Sequence, residues 1–348
     1  MERVAVVIAT PVEGELVDRL RAVDDRLELR FEPELLPPPR YPSDHGGDSS
    51  FVRSETEQRA FAQLVAGAEV IYGVPGDTAE GLAWAVRTAS RLRFLQATSA
   101  GAGQQVRAAA LAPDELERVA IASASGVHAV PLAEWSMLGI LALTKDLPRL
   151  RRDAAERRWG HYPVAELPGK TLLVVGVGEI GREVARLGKS FGMRVIGVKR
   201  DPTEPTPHVD ELHGPDRLRD LAATADAIVI TLPLTDETRG LIDRDTISRM
   251  REETILVNVG RGGVIDEDAL IEALQAGRIR GAALDVFAEE PLPAASPLWE
   301  LENVIVSPHT AALSVQENER IVELFAENLR RYLHGEELLS RVRPALFY

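Results

Sequence analysis

Hydrophobic and polar positions alternate in two rhythms along this chain. Short apolar runs, many of them β-branched, fall at Val4–Ala9, Leu27–Phe31, Val70–Gly73, Phe94–Thr98 and Val119–Ser123. Between them, Glu13–Ala22, Glu55–Ala66 and Thr78–Leu92 have the pattern of helices. Regular alternation of the two predicts a parallel sheet with crossover helices. A second series follows at Leu172–Val175, Arg194–Val198, Ala227–Thr231, Thr254–Val259, Gly281–Asp285 and Val304–Ser307. Six strands in that order, with helices between, predict a doubly wound dinucleotide fold.

Two further stretches set the domain plan. Pro131–Leu150 carries apolar residues at helical spacing and ends near Pro148, so it joins the two series. Ser314–Leu333 places Ile321, Leu324, Phe325 and Leu329 on one stripe. A helix after the last strand is expected to return to the first domain and leave it discontinuous. The expected plan is an α/β protein of two Rossmann-like domains. A flavodoxin-like substrate domain takes residues 1–130 and 312–348, a doubly wound dinucleotide-binding domain takes 131–311, and a cleft lies between them. Pro33–Ser50, with five prolines and paired glycines and serines, is expected to be a long loop, read as inert rather than as a flap over a site.

Composition narrows the function classes. An apolar content of 45% suffices for real cores. The longest candidate, Trp135–Leu143, is far short of the ~20 residues that a membrane span needs. The N-terminus enters a strand at Val4 without a signal-peptide layout. A net charge of −14 argues against non-specific attraction to nucleic acid or an anionic membrane. No cysteine is present, which fits a cytoplasmic setting. The seven histidines form no metal-binding spacing, and His208 and His213 read as parts of a Pro-rich loop, so no metal is expected.

Chemistry enters at Gly176-Val-Gly178-Glu179-Ile180-Gly181, which follows a strand and opens a helix. The first glycine allows a tight turn, the second admits a pyrophosphate, and the third lets helix and strand pack closely. The next strand ends in Lys199-Arg200, where an acidic residue would receive the ribose of NAD. Two cations there complement a 2′-phosphate, so NADP(H) is the expected preference, with NAD(H) possible and Asp201 the rival that could still serve a ribose. A second glycine turn, Gly101 and Gly103 in "SAGAG", lacks a third glycine and a clear following helix. It is a candidate loop for a substrate carboxylate, or an ordinary strand exit.

Arg261, Glu290 and His309 each lie at or beyond the end of a late strand, where open α/β sheets place ligands. A guanidinium fork suits a 2-oxo carboxylate, an imidazole suits proton delivery near neutrality, and a carboxylate can orient that imidazole. Each alone is ambiguous: a loop cation, half of a solvated acidic pair with Glu289, a core histidine. His128, at the expected domain junction, could face the cleft, but hinge packing is the favoured reading. Trp135 is expected to pack along the joining helix, and Glu134 to cap or salt-bridge nearby.

The long segment from Val257 to Ala311, with "LPGKTLLVVGVGEIGREVARLGKSFGMRVIGV" and "ITLPLTDETRGLI", resembles the D-isomer-specific 2-hydroxyacid dehydrogenases. The Lys199-Arg200 pair resembles their NADPH-using glyoxylate/hydroxypyruvate reductase branch. The resemblance implies that Arg261 grips the carboxylate and carbonyl, that His309 is the acid/base, and that Glu290 pairs with it. It implies that Asp285 binds the nicotinamide carboxamide and that the backbone at Ala100-Gly101 receives the substrate carboxylate. It also places the dinucleotide against Gly176, Gly178, Glu179, Ile180, Gly181, Lys199, Arg200, Leu232, Pro233, Thr238, Val259, Gly260, Arg261, Asp285, His309 and Ala311. The expected activity is reduction of a small 2-oxo acid to a D-2-hydroxy acid, by a homodimer with no nucleic-acid or membrane partner. The alternatives are oxidation of formate or phosphite, and a nucleotide-sensing, corepressor-like interaction protein. A phosphoglycerate dehydrogenase is less expected, for want of a regulatory domain after the terminal helix.

Overall fold

The computed structural model describes residues 3–343. Two compact units divide the chain, Met1–His128 with Leu313–Tyr348, and Ala129–Ala312.

The first unit is built on five parallel strands: β1 Val4–Ile8, β2 Leu27–Arg30, β3 Val70–Tyr72, β4 Phe94–Gln96 and β5 Ala120–Ala122. Their order is β2-β1-β3-β4-β5, the flavodoxin-like arrangement. The central strands are apolar on both faces because both are covered, as a parallel sheet requires. The helix Glu317–His334 supplies part of that cover, burying Ile321, Val322, Phe325 and Leu329. Phe325 lies 5.1 Å from the Tyr72 ring and 5.8 Å from Phe94. Leu324, expected on the buried stripe, is only partly buried, and Val322 takes that place.

The second unit carries seven strands: β6 Thr171–Val175, β7 Arg194–Val198, β8 Glu211–His213, β9 Ala227–Ile230, β10 Ile255–Asn258, β11 Gly281–Leu284 and β12 Val304–Val306. Every pairing is parallel, in the order β12-β11-β10-β9-β6-β7-β8. The direction of winding reverses between β6 and β9, so the crevice for a ligand opens at the carboxyl ends of those strands. The helix Ala129–Thr144 packs on this sheet so closely that a Cβ on Gly139 would come within 2.5 Å of Ala283.

Four further sequence expectations need correction. The doubly wound sheet has seven strands rather than the expected six: β8 ends in His213, a residue expected in a loop. Its three half-buried residues pair with β7 alone, so no apolar run announces it. The joining helix ends at Thr144, because Asp146 takes a positive φ of 56° and a new helix, Leu147–Ala155, begins. Pro148 sits in the first turn of that new helix, where a missing N–H costs nothing. The "SAGAG" turn does open a helix, Ala102–Ala108. Glu134 is exposed and joins no ion pair among the described residues.

The Pro-rich loop is packed, not free. Leu35 and Leu36 enter the hydrophobic core with Phe61. Ser43, Asp44 and His45 are also buried, and Arg40 holds Asp44 through two hydrogen bonds of 2.7 and 2.9 Å.

Candidate active site

The fork of the second unit's sheet is where its glycine turn lies. Gly176 follows β6 with φ of 101°, in the left-handed region that glycine alone enters cheaply. A Cβ on Gly181 would meet the Gly176 carbonyl oxygen at 2.0 Å, so only glycine lets the helix Glu179–Ser190 approach the strand. Around Gly178 nothing lies within 4 Å of where a Cβ would stand. No side chain caps the helix there, which leaves its first N–H groups directed at open space. Ile180 packs against the core, while Glu179 pairs with Arg182 at the surface.

At the end of β7, Lys199 donates its backbone N–H to the His213 carbonyl, so β8 positions it. Its ammonium joins no ion pair among the described residues. Arg200 is exposed and lies 3.2 Å from the Glu237 carboxylate. Asp201 spends Oδ1 on Thr203, accepting from both its backbone N–H and its hydroxyl.

Beyond the late strands, the structure brings Arg261, Asp285, Glu290 and His309 into one cluster. His309 Nδ1 donates to Glu290 Oε2 at 2.7 Å, and Glu290 Oε1 accepts from the Phe287 N–H at 3.0 Å. Both carboxylate oxygens are therefore committed, which fixes the imidazole plane. Asp285 secures the backbone of the same turn. Its Oδ1 accepts from the Ser307 hydroxyl, the Thr310 N–H and the Ala311 N–H at 2.6, 2.9 and 3.0 Å. Its backbone carbonyl accepts from the His309 N–H, and His309 itself is held at φ of 53°. Burial pushes the Asp285 carboxyl above the usual carboxylate range, and these donors pull against it. Asp285 Oδ2 accepts no bond from within the cluster.

Arg261 leaves β10 on a turn built by Asn258, whose side chain accepts from the Gly260 N–H and donates to the Arg261 carbonyl. Burial lowers the guanidinium's pKa, against the fields of Glu290 and Asp285, which raise it. The two loops touch through Gly262: a Cβ there would overlap the Phe287 carbonyl carbon at 1.9 Å. That contact brings the Arg261 loop against the one carrying Glu290.

These segments match a known family. The model of the D-isomer specific 2-hydroxyacid dehydrogenase NAD binding domain matches residues 137–311, half of the chain. The chain belongs to this family. Its members are NAD(P)-dependent oxidoreductases acting on CH–OH donors. A glyoxylate reductase of Korarchaeum cryptofilum is 35% identical over 243 residues, 65% of this chain and 72% of that protein. A D-3-phosphoglycerate dehydrogenase of Methanocaldococcus jannaschii is 39% identical over 223 residues, and this chain spans only 42% of its length. The solved D-isomer specific 2-hydroxyacid dehydrogenase of Xanthobacter autotrophicus, in complex with NADPH and MES, superimposes with a TM-score of 0.77. It shares 26% identity and is covered, like this chain, over 100% of its length.

The open slot at Gly178 and the uncapped helix fit a pyrophosphate. The other residues that the resemblance points to are distributed around that crevice. Leu232 and Pro233 follow β9; Thr238 closes their turn by donating to the Pro233 carbonyl at 2.7 Å. Val259 and Gly260 follow β10, and Ala311 is buried beyond His309. Among the described residues no three His, Asp or Glu side chains are grouped to hold a metal.

Ala100 and Gly101 belong to the first unit, where Gly101 stands at the start of its short helix. His128 is buried in that unit and donates to Glu317 at 3.0 Å. Trp135 packs partly buried on the helix core of the second unit. Sequence reasoning missed Asn258, Ser307 and His45. The first two carried a weak signal, each a lone polar residue at the close of an apolar run.

Proposed function

We propose that the protein reduces a small 2-oxo acid, of glyoxylate or hydroxypyruvate size, to the D-2-hydroxy acid, with NADPH as the preferred donor. The observation that carries this reading is the His309–Glu290 bond of 2.7 Å beside the Arg261 guanidinium. With Nδ1 committed to a carboxylate, Nε2 is the nitrogen left to exchange a proton with substrate. Glu290 stabilises the imidazolium while His309 delivers that proton to the carbonyl oxygen. Arg261 holds the carboxylate and polarises the carbonyl through its two-pronged fork. When bound, the dinucleotide supplies the hydride that reduces C2. Asp285 offers Oδ2 to its carboxamide, and the Ala100-Gly101 backbone serves the substrate carboxylate.

Lys199 supports the NADPH preference, since its ammonium is available to a 2′-phosphate. Arg200 supports it less directly. Its exposed pairing with Glu237 is of a kind worth at most about 1 kcal/mol, which a doubly charged phosphate can displace. Asp201 has one carboxylate oxygen, Oδ1, engaged with Thr203 and stays the rival that could serve a ribose. A cytoplasmic homodimer working on small acids completes the proposal; no helix among the described residues is long and apolar enough to cross a membrane. Oxidation of NADPH and NADH by glyoxylate and hydroxypyruvate tests the reading. Turnover with NADPH supports it, and absence of turnover with any 2-oxo acid overturns it.

A further inference from the structure

The first unit holds a buried polar group that the reaction above does not use. His45, His128 and Glu317 are 7%, 7% and 4% exposed. Glu317 Oε1 receives the 3.0 Å bond from His128 Nε2 and stands 3.5 Å from His45 Nε2. Both ring nitrogens of His45 and the second oxygen of Glu317 lack a hydrogen-bond partner. Buried polar atoms are normally satisfied, so this surplus of donors and acceptors calls for an explanation.

Its position in the sheet supplies one. Thr10, just past β1, donates its hydroxyl to the His45 carbonyl at 2.6 Å, which anchors the Pro-rich loop over the β1 exit. Ala100-Gly101 lies past β4, and the order β1-β3-β4 puts the two exits two strand spacings apart. That separation is roughly 10 Å. A three-carbon acid with a hydrogen bond at each end has about that reach.

We infer that His45, oriented beside Glu317, determines substrate selectivity by binding a neutral hydroxyl on the carbon adjacent to the substrate carbonyl. The inference rests on the functional reading above. A hydroxyl both donates and accepts, so it can answer an imidazole nitrogen and the free Glu317 oxygen together. A methyl group in the same place would leave those atoms buried and unpaired, which is how polar sites reject apolar analogues. A phosphate or second carboxylate meets the wrong charge. The carboxylates around His45 are Glu317, Asp44 and Asp77, and the Arg40 cation is already held by Asp44. The hydroxylated acid is thus selected over both its deoxy and its anionic counterparts.

The test compares kcat/KM for hydroxypyruvate, pyruvate and 3-phosphohydroxypyruvate at saturating NADPH. The wild type is expected to favour hydroxypyruvate over each of the others by at least about tenfold. His45→Phe should bring the hydroxypyruvate-to-pyruvate ratio down about tenfold, chiefly through KM for hydroxypyruvate. His45→Asn, which keeps a hydrogen-bonding group, should retain most of it. A wild type that prefers pyruvate or the phosphorylated acid overturns the inference, even if His45→Phe does not fold. So does a His45→Phe enzyme with an unchanged ratio. Glyoxylate, which has no such carbon, separates the two levels of the argument. If glyoxylate is reduced and the ratios are flat, only the role of His45 fails; if no 2-oxo acid is reduced, the functional reading fails.

Discussion

His309 and Glu290, nineteen positions apart in sequence, meet at 2.7 Å through Nδ1 and Oε2. The bond leaves one imidazole nitrogen for chemistry, and the Phe287 N–H keeps the carboxylate from turning away. Glu290→Gln preserves the shape but removes the charge that favours the imidazolium. We expect kcat for 2-oxo acid reduction to fall by roughly 10²-fold. Steady-state kinetics would show it, and a kcat within twofold of wild type would mean that Glu290 only braces the loop.

Arg261 presents a planar fork, and a lysine at the same place offers a point charge. For Arg261→Lys, KM for the oxo acid should rise by about 10- to 100-fold, because the second hydrogen bond to the carboxylate is lost. A wild-type KM in that variant would show that Arg261 does not hold the substrate.

Replacing Lys199 with Asp and Arg200 with Ser should move the preference from NADPH toward NADH. A carboxylate opposed to a 2′-phosphate costs about 4 kcal/mol per unit charge pair at 4 Å in an effective dielectric of 20, less where water intervenes. The ratio of kcat/KM for the two dinucleotides is the readout. An unmoved ratio would reduce the pair to solvated surface cations.

Much of this was legible because it is local. Gly176, Gly178 and Gly181 announce a strand, a turn and a helix within one short segment, and each glycine has a separate steric reason. Arg261, Glu290 and His309 stand at strand ends, so the alternation that predicts the sheet also predicts their common edge. What stayed hidden depends on contacts without a period. β8 is three half-buried residues paired on one side. His128 and Glu317 are 189 positions apart and belong together only because the terminal helix returns to the first unit. The Pro-rich composition around His45 signals a loop, and nothing in it signals burial.

Glu317 also links stability to acidity. Burial alone would raise its pKa, but the His128 hydrogen bond and the nearby His45 ring outweigh burial and hold it at about 2, below its ordinary 4.5. A depressed carboxylate contributes stability above its unfolded pKa and loses it as pH falls through the folded value. Glu317→Gln should therefore be less stable than wild type at pH 6, by on the order of 2–3 kcal/mol. The gap should close between pH 4.5 and pH 2. Urea unfolding across that range would reveal it, and a pH-independent gap would contradict the linkage.

The central claim is that His309 exchanges the proton while the dinucleotide and the oxo acid are held by other residues. Single-turnover reduction by His309→Gln, with NADPH binding followed in parallel by fluorescence, addresses it most directly. The account predicts near-wild-type NADPH affinity with turnover reduced by about 10²- to 10⁴-fold. Wild-type turnover in that variant would contradict it.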